Sequence, residues 1–317
     1  MKSILVTGCA GFIGSNFTKT FLARFPNTRV VGIDNLSSGR RSAIAKGVVF
    51  YKGSIGNREL LSRVFKKHKP EYIFHFAALP RVSYSVDHPT ETTDTNVTGT
   101  VALLEAAGHH KVRRFIFSSS SSVYGGAKKM PTKESENPPK PISPYSLQKY
   151  EGELYCELFY KLYGIDTVAL RYFNVFGPGQ YGDSAYAMVI GGWLEALYFP
   201  KGQKPYLEGD GLQSRDFCYV DNVIQANISA MRAKGVLGGR VFNIGGGERT
   251  TLLKVGQLIE KHTGRKLKLE RRPPRLGDAR HTLADTSRAR AVLGYRPTVG
   301  FEEGLIRTIR WFEGRPR

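Results

Sequence analysis

Tyr145 and Lys149 are the pair of side chains in this 317-residue chain that is best suited to acid–base chemistry. The two residues are four apart on a predicted helix, so their side chains share one face. An ammonium group beside a phenol favours the phenolate and brings the phenol pKa down from about 10, which makes the tyrosine a usable general base. The spacing Y-x-x-x-K is common, and alone it is more typical of a surface lysine beside a partly buried tyrosine. Its functional meaning depends on two further features.

The first of these features is a run of five serines, Ser118–Ser122, which follows a predicted strand. Open α/β sheets bind their ligands at the carboxyl ends of the strands. The run therefore predicts hydroxyl groups at a binding edge, where a hydroxyl can pass a proton between a substrate and the tyrosine.

The second feature is a glycine-rich turn between a predicted strand and a predicted helix, T-G-C-A-G-F-I-G, with Gly8, Gly11 and Gly14. Glycines allow close approach of the backbone to a pyrophosphate, and the helix N-terminus offers N–H groups to phosphate oxygens. Asp34 ends the second predicted strand, where a carboxylate accepts hydrogen bonds from ribose hydroxyls and repels a 2′-phosphate. We therefore predict NAD as the cofactor, with Arg40 and Arg41 leaving NADP as a minor alternative.

The elements that must position these residues alternate between strand and helix. Nearly all-apolar runs indicate strands buried on both faces, at Ser3–Thr7, Arg29–Asp34, Val48–Tyr51, Tyr72–Phe76, Arg114–Ser118 and Thr167–Tyr172. Helices are predicted at Gly11–Phe25, Arg58–His68, Glu91–Ala107 and Pro144–Tyr163, and a further helix and strand at Val220–Arg232 and Arg240–Ile244 are expected to return to the main sheet. The alternation predicts an α/β fold, a doubly wound parallel (Rossmann) sheet with a second, smaller α/β lobe.

Nine short motifs occur in order along the chain and together resemble one family. They are T-G-x-x-G-F-I-G, D-N-L-S-S-G, F-H-F-A-A, T-N-V-x-G-T, S-S-S-S-V-Y-G, Y-S-L-Q-K, R-Y-F-N-V-F-G-P, G-D-G-x-x-S-R-D-F and F-N-I-G. The match runs from the N-terminus to about Asp285 and resembles the extended short-chain dehydrogenase/reductase family, in its UDP-hexose 4-epimerase branch. Within that branch the chain is most similar to the UDP-N-acetylglucosamine 4-epimerases.

The resemblance implies NAD as the cofactor, Tyr145 as the catalytic base, Lys149 as its tuning residue and Ser120 as the partner hydroxyl. The implied cofactor-binding residues are Gly8, Gly11, Phe12, Ile13, Gly14, Asp34, Asn35, Ser38, Gly39, Ser54, Ile55, Phe76, Ala77, Ala78, Asn96, Tyr145, Lys149 and Phe173. One position departs from the family pattern. Where the family has an acidic residue that reaches the adenine amino group, this chain has Ser54. A hydroxyl accepts that hydrogen bond more weakly.

The residues implied to bind substrate are Ser120, Ser121, Ser122, Tyr145, Asn174, Tyr206, Arg215, Arg275, Asp278 and Thr282. Arg215 and Arg275 suit a diphosphate, since the guanidinium fork pairs with phosphate oxygens. Tyr206 is a weaker candidate, as either a contact to the nucleotide base or a packing aromatic. Thr282 matches a position where epimerases restricted to plain hexoses resemble one another in carrying tyrosine, so a small residue there leaves room for a 2-acetamido group. The stretches R-H-T-L-A-D, R-D-F-C-Y-V and A-Y-A at 185–187 are similar to the same subgroup.

The activity that this resemblance implies is C4 epimerisation of UDP-GlcNAc and UDP-GalNAc, and also of UDP-glucose and UDP-galactose, through a 4-keto sugar. Related dehydratases and decarboxylases resemble one another in carrying carboxylates just before V-Y-G, where this chain has Ser121 and Ser122. The alternative is a UDP-uronate 4-epimerase or another C4-oxidising relative. We expect residues 1–175 plus about 217–245 to bind NAD, and about 176–216 plus 246–317 to bind the UDP-sugar. The family also implies a homodimer through helices near Asn96–Ala107 and Tyr145–Tyr163.

The composition is that of an ordinary soluble globular protein with excess positive charge. Lys and Arg number 47 against 27 Asp and Glu, a formal net charge of +20, which suggests an anionic partner or a hot growth environment. Nucleic acid is not predicted, because the basic residues form no aromatic-interleaved stripe. The chain has three widely spaced cysteines and seven histidines without ligand spacing, so we predict no metal site. The few, unpaired cysteines favour a reducing cytoplasm. No apolar run reaches about 18 residues and no signal peptide is recognised, so no membrane association is expected.

Overall fold

The computed structural model describes residues 1–182, 189–200, 204–273 and 279–315. Its strands are β1 (Ser3–Thr7), β2 (Arg29–Asp34), β3 (Val49–Lys52), β4 (Tyr72–His75), β5 (Arg114–Ser120), β6 (Thr167–Tyr172), β7 (Val175–Phe176), β8 (Tyr206–Glu208), β9 (Ser214–Arg215), β10 (Cys218–Tyr219), β11 (Arg240–Ile244), β12 (Thr250–Thr251) and β13 (Glu270–Arg272). Its helices are α1 (Phe12–Arg24), α2 (Arg58–His68), α3 (Val82–Asp87), α4 (Pro89–Thr93), α5 (Gly99–His109), α6 (Pro144–Tyr163), α7 (Val189–Tyr198), α8 (Val220–Arg232), α9 (Leu252–Thr263), α10 (Ser287–Leu293) and α11 (Phe301–Glu313).

A parallel sheet of seven strands organises these elements, in the order β11-β6-β5-β4-β1-β2-β3. Each pairing in this sheet is parallel. The chain runs from β1 outward to β3, returns to the other side of β1 at β4, and continues outward to β11. The point between β1 and β4 is therefore a topological switch point, where such sheets form a ligand crevice. The predicted doubly wound parallel sheet is confirmed, as is the return of α8 and β11 to it.

The sheet is buried on both faces, as the apolar strands predict. Ile4 and Val6 of β1 point into one apolar cluster, which includes Phe17 of α1, whereas Leu5 points into a second cluster with Leu61 of α2. Alternate side chains thus fill two cores, and helices cover each face. Burial on both faces leaves the strand ends as the accessible part of the sheet.

The predicted helix Glu91–Ala107 is confirmed as helical throughout, and the structure adds a π-helical turn inside it. The structure has α4, then a π-helical turn at Asp94–Thr98, and then α5. Asn96 within this turn is buried, and its side chain hydrogen-bonds to both backbone polar groups of Leu79 and to the side-chain oxygen of Gln148. The π-turn widens the helix at the residue whose amide faces inward. Such turns are frequent at functional sites.

The strand β5 extends two residues further than predicted, to Ser120. Its serines stay in register with β6, with Ser118 opposite Leu170 and Ser120 opposite Tyr172. Part of the serine run is therefore strand, and a 3₁₀ turn at Ser121–Tyr124 completes it. The division into a cofactor lobe and a substrate lobe stays a prediction.

Candidate active site

The glycine-rich turn follows β1 and packs its backbone against two neighbouring segments. Gly8 has a left-handed φ of 71° and donates its N–H to the carbonyl of Ile33 at 2.8 Å. A Cβ at Gly8 would lie 2.7 Å from the backbone nitrogen of Ala77, and a Cβ at Gly14 would lie 2.1 Å from the carbonyl oxygen of Gly8. Gly11 is the N-cap of α1 and has no side chain to cap it. The first N–H groups of α1 point toward the turn, an arrangement that suits a pyrophosphate.

Asp34 ties this turn to the end of β2. Its Oδ2 accepts the N–H of Ala10 at 2.9 Å, and its Oδ1 accepts the N–H of Leu36 at 2.8 Å. The N–H of Arg40 donates to the carbonyl of Ala10 at 3.1 Å. The guanidinium of Arg40 lies 3.6 Å from the ring centroid of Tyr181. The loop after β2 is thus fastened to the glycine turn on both sides of Ala10, with a buried carboxylate at the predicted ribose position.

The other residues predicted to bind the cofactor lie around this turn and at the ends of neighbouring strands. They are Phe12 and Ile13 in α1, Asn35, Ser38 and Gly39 after β2, Ser54 and Ile55 after β3, Phe76, Ala77 and Ala78 after β4, Asn96 in the π-turn and Phe173 after β6. The Ser54 hydroxyl accepts the N–H of Gly56 at 3.1 Å and is exposed, so one of its lone pairs serves the local turn. The residues come together at one edge of the sheet, and their individual roles stay predictions.

Tyr145 and Lys149 lie in the first turns of α6, as predicted. Ser143 caps the helix with a reciprocal Ser143–Ser146 capping box, and Pro144 occupies the first turn. The phenol of Tyr145 hydrogen-bonds to the Ser120 side chain at the end of β5. The ammonium of Lys149 donates to the carbonyl of Ser118 at 2.7 Å and lies 5.9 Å from the centroid of the Tyr145 ring. The three residues predicted to be catalytic are therefore brought together.

Burial dominates the electrostatics of this group. It raises the pKa of Tyr145 to about 12, and the hydrogen bond with Ser120 acts in the opposite direction. It lowers the pKa of Lys149 to about 8. It also lowers the pKa of His75 to about 3, so this histidine is a neutral side chain held between Thr7 and Thr100 at 2.8 Å each. The phenol therefore needs nearby positive charge before it can act as a base at neutral pH.

Asn174 and Thr282 form a second group of predicted residues. The amide of Asn174 donates to the Thr282 hydroxyl and to the Asp216 carbonyl, both at 3.1 Å. The N–H of Asp216 donates to the same Thr282 hydroxyl at 3.1 Å. Two residues later, Ala284 packs against Phe173 and Val123, the latter in the turn after the serine run. The Thr282 segment thus lies beside the serine turn, although the two are far apart in sequence.

Sequence reasoning did not single out Asp216, which organises this second group. The carboxylate is buried and accepts the N–H of Gly246 at 2.6 Å and the N–H of Ala284 at 2.9 Å. Burial raises its pKa to about 6, against the effect of these backbone hydrogen bonds. Its position inside the S-R-D-F motif was the available signal. Asp216 thereby joins three segments that reach the substrate side.

The remaining predicted substrate residues have varied surroundings. Arg215 is buried and donates to the carbonyls of Ser214 and Arg280 at 3.0 and 3.1 Å. The ring of Tyr206 stacks against the guanidinium of Arg272 at 3.9 Å, as a packing aromatic does. The Ser122 hydroxyl is buried without a hydrogen-bond partner, while Ser121 is half-buried. Arg275, Asp278 and the stretch 185–187 lie outside the described residues.

Three solved structures match nearly the whole length of this chain. UDP-glucose 4-epimerase from Thermotoga maritima, solved with UDP-glucose, is 40% identical with a TM-score of 0.91, and the match covers 98% of each chain. UDP-N-acetylglucosamine 4-epimerase from Methanobrevibacter ruminantium, solved with UDP-N-acetylmuramic acid, is 36% identical with a TM-score of 0.89 and the same coverage. UDP-glucuronic acid 4-epimerase from Bacillus cereus, solved with UDP-glucuronic acid and NAD, is 32% identical with a TM-score of 0.88, over 98% of this chain and 99% of that one.

The family model that matches is the NAD dependent epimerase/dehydratase family, over residues 4–245. The chain belongs to this family, and it is an NAD-dependent enzyme. The resemblance and the cofactor predicted from the motifs are confirmed. The glycine turn, whose backbone contacts are too close for a Cβ, and the buried Asp34 fit the pyrophosphate and ribose of this cofactor.

Neither a metal cluster nor a membrane span is found in the described part of the chain. Among those residues, no three His, Cys, Asp or Glu side chains are grouped to hold a metal ion. Within the same ranges, no helix is long and apolar enough to cross a bilayer.

Replacing Gly14 by alanine should weaken NAD binding at least about tenfold, because a Cβ 2.1 Å from the Gly8 carbonyl forces the turn apart. Isothermal titration calorimetry with NAD measures the effect, with circular dichroism as a check on folding. Gly256→Ala is the matched control in α9, since its Cβ would meet nothing closer than Trp193 at 3.6 Å. An NAD affinity of Gly14→Ala equal to that of the control would contradict this account of the turn.

Proposed function

We propose that the chain is a UDP-sugar 4-epimerase that interconverts UDP-GlcNAc and UDP-GalNAc, and also UDP-glucose and UDP-galactose, through a 4-keto sugar. The observation that carries the proposal is the contact between the buried phenol of Tyr145 and the hydroxyl of Ser120, with the Lys149 ammonium 5.9 Å from the centroid of the Tyr145 ring. This group sits at the carboxyl ends of the strands, where the cofactor of the family binds. The C4 epimerases among the similar proteins add support.

In the first half of the proposed reaction, the Tyr145 phenolate takes the proton of the sugar 4-OH, directly or through Ser120. The Lys149 ammonium stabilises the phenolate by its charge. The glycine turn and Asp34 would hold NAD⁺, which when bound would supply reversible hydride acceptance at C4. The reaction thus needs a group that holds a proton reversibly, and a phenol between a hydroxyl and an ammonium does so.

In the second half, the keto sugar must present its other face while the nucleotide stays bound. Arg215 is proposed to hold the diphosphate, because a guanidinium pairs with phosphate oxygens in a fixed geometry. Arg275 has the same proposed role. Asn174 is proposed to contact the sugar, and the hydrogen bond from its amide to the Thr282 hydroxyl fixes its side chain beside that segment. The Tyr145 phenol then returns the proton to the 4-oxygen.

Elimination of water from the sugar is disfavoured by the serine turn. Dehydration requires an additional acid and base beside the sugar. Here Ser121 and Ser122 occupy those positions with hydroxyl groups, and the Ser122 hydroxyl has no protein partner. An orphaned hydroxyl suits a sugar hydroxyl better than it suits proton abstraction. C4 inversion is therefore the simplest chemistry for this site.

The preference for acetylated sugars rests on the small side chain of Thr282. Its hydroxyl accepts two hydrogen bonds, from Asn174 and from the backbone of Asp216, so the methyl group alone remains to define the pocket. A tyrosine there would fill the adjoining space with a ring. The alternative substrate class, a UDP-uronate, is favoured by the similarity to the Bacillus cereus enzyme. Incubating the purified protein with a panel of UDP-sugars, with products resolved by NMR, separates the two.

Tyr145→Phe should lower kcat about 10³-fold, because the phenyl ring cannot take the 4-OH proton. The NAD affinity should stay near that of the parent, since the ring itself is kept. Tyr150→Phe is the matched control on the same helix and should retain parental turnover. Steady-state kinetics with UDP-GalNAc and UDP-galactose make the measurement. Full turnover by Tyr145→Phe would refute the assignment of the base.

Thr282→Tyr should lose turnover of UDP-GalNAc at least about tenfold more than turnover of UDP-galactose, because the ring competes with the acetamido group for space. Thr282→Ser keeps the hydroxyl and its two hydrogen bonds and should retain both activities. The ratio of kcat/KM values for the two substrates is the readout. Equal losses on both substrates would show that Thr282 acts on folding or on the nucleotide instead.

A homodimer is also proposed, through the surface of α6. Leu147, Leu154, Leu158 and Leu162 recur at helical spacing and are 45–63% exposed. An exposed apolar stripe of this kind is typical of a protein–protein interface. We also propose a cytoplasmic location, supported by the three buried free thiols.

Leu158→Lys should convert the dimer to a monomer in size-exclusion chromatography with light scattering, because it places a charge in the apolar stripe. Val236→Lys changes an equally exposed apolar residue outside α6 and should leave the mass unchanged. A parental protein that elutes as a monomer would contradict the proposal.

A further inference from the structure

Glu153 continues the catalytic face of α6 by one more turn. Tyr145, Lys149 and Glu153 are spaced four residues apart, so they lie one above another on the helix. The Glu153 side chain is only 4% exposed, although a carboxylate this deep is costly without partners. The helix therefore carries a buried charge that nothing in the reaction described above uses directly.

The partners of Glu153 come from two strands. Its two oxygens accept the Nε and Nη2 groups of Arg171 on β6, at 2.8 and 2.6 Å, and one of them also accepts the Ser119 hydroxyl of β5. The Arg171 side chain is itself 4% exposed, and its guanidinium lies 4.6 Å from the centroid of the Tyr124 ring. The pair is bidentate and charge-assisted, which fixes direction as well as distance.

These contacts join the two elements that carry the catalytic group, α6 and β5, and tie both to β6. The helix α6 supplies Tyr145 and Lys149, while β5 supplies the Ser118 carbonyl and the Ser120 hydroxyl on either side of Ser119. A carboxylate that holds Ser119 therefore sets the position of both neighbours relative to the helix. Small displacements at this point change the contact between Ser120 and Tyr145 and thus the geometry of the proposed proton transfer.

The charged, titratable and polar groups around Lys149 come from α6 and from three strands. On α6 they are Tyr145, Glu153 and the thiol of Cys156. The strand β4 contributes His75, β5 contributes the Ser118 carbonyl and the Phe117 ring, and β6 contributes Arg171, which is paired with Glu153. His75 is neutral, and burial raises the pKa of the Cys156 thiol, so it is uncharged as well. Glu153 is therefore the negative charge that favours the ammonium form of Lys149 against the effect of burial.

We propose that Glu153 is a positioning residue for proton transfer at Tyr145, which keeps the Lys149 ammonium charged and holds Ser120 in register through Ser119 and Arg171. The proposal rests on the proposed role of Tyr145 as the base. Two effects of the Glu153 charge on the phenol oppose each other. The Glu153 carboxylate repels the phenolate directly over two helical turns, about 12 Å. The Lys149 ammonium, which the carboxylate keeps charged, is one turn nearer to Tyr145. The effect through Lys149 is therefore the larger.

Glu153→Gln tests the charge with little change in shape. Without the carboxylate, Lys149 loses its proton at lower pH and the phenolate loses its stabilising charge. The midpoint of Tyr145 ionisation should then rise by about one pH unit. In the NAD-bound enzyme, this midpoint is read from tyrosinate absorbance. The contribution of Tyr145 is the absorbance of each variant minus that of the same variant that also carries Tyr145→Phe. The kcat for C4 epimerisation below the midpoint should fall about tenfold, with KM nearly unchanged.

Glu153→Gln also leaves Arg171 as an unpaired buried cation, which destabilises the fold. The double variant Glu153→Gln/Arg171→Met removes that cation, so its thermal stability should return toward the parent. If Glu153 acts as proposed, the ionisation midpoint stays raised in the double variant. A midpoint that returns to the parental value with stability, or that never moves in either variant, overturns the proposal. A raised midpoint in a protein that turns over no UDP-sugar would instead refute the proposed function and leave the role of Glu153 intact.

Discussion

The main physical constraint on this site is a buried phenol that, as the proposed base, must give up its proton. Burial holds the pKa of Tyr145 at about 12, far above neutral pH, against the opposing effect of Ser120. Each neighbouring group can be understood by whether it eases or opposes ionisation of that phenol. The Ser120 hydroxyl lowers the phenol pKa by a hydrogen bond. The Lys149 ammonium, 5.9 Å from the centroid of the Tyr145 ring, is proposed to stabilise the phenolate by its charge. The same burial excludes water, so these few charges act strongly.

The parallel sheet makes it possible to assemble such a site from distant parts of the chain. The carboxyl ends of β1, β2, β4, β5 and β6 meet at one edge, which brings the glycine turn, Asp34 and the serine run together. Asp216 adds the substrate side by binding Gly246 and Ala284, and Ala284 packs beside the serine turn. Two separate buried carboxylates, Asp34 and Asp216, thus position the residues proposed to bind the cofactor and the sugar.

Elements with local signals could be predicted from the sequence residue by residue. The bounds of β1, β2, β6, β11, α2, α6 and α8 agree with the prediction. Each has either a continuous apolar run or clear end signals, such as Ser143 before α6, Pro144 at its first position and Gly164 after it. The helical run from residue 89 to 109 was predicted, but its π-turn was not, because that turn depends on Asn96 reaching Leu79 and Gln148, and such long-range contacts leave no local pattern.

The same distinction separates the site residues that were predicted from those that were missed. Tyr145, Lys149 and Ser120 lie within short motifs, and the structure brings them together. Glu153 and Arg171 were missed, because a charged residue in a helix or strand ordinarily indicates a solvated face. Only their mutual burial in the folded chain shows that they form a pair.

The most direct measurement for the role of Tyr145 is a crystal structure of the enzyme with NAD and a UDP-hexose bound together. The account predicts the Tyr145 phenol oxygen within about 3 Å of the sugar 4-oxygen, and the nicotinamide ring over the same carbon. A sugar whose 4-oxygen lies beyond hydrogen-bond reach of both Tyr145 and Ser120, with its diphosphate held at the same site, would contradict it.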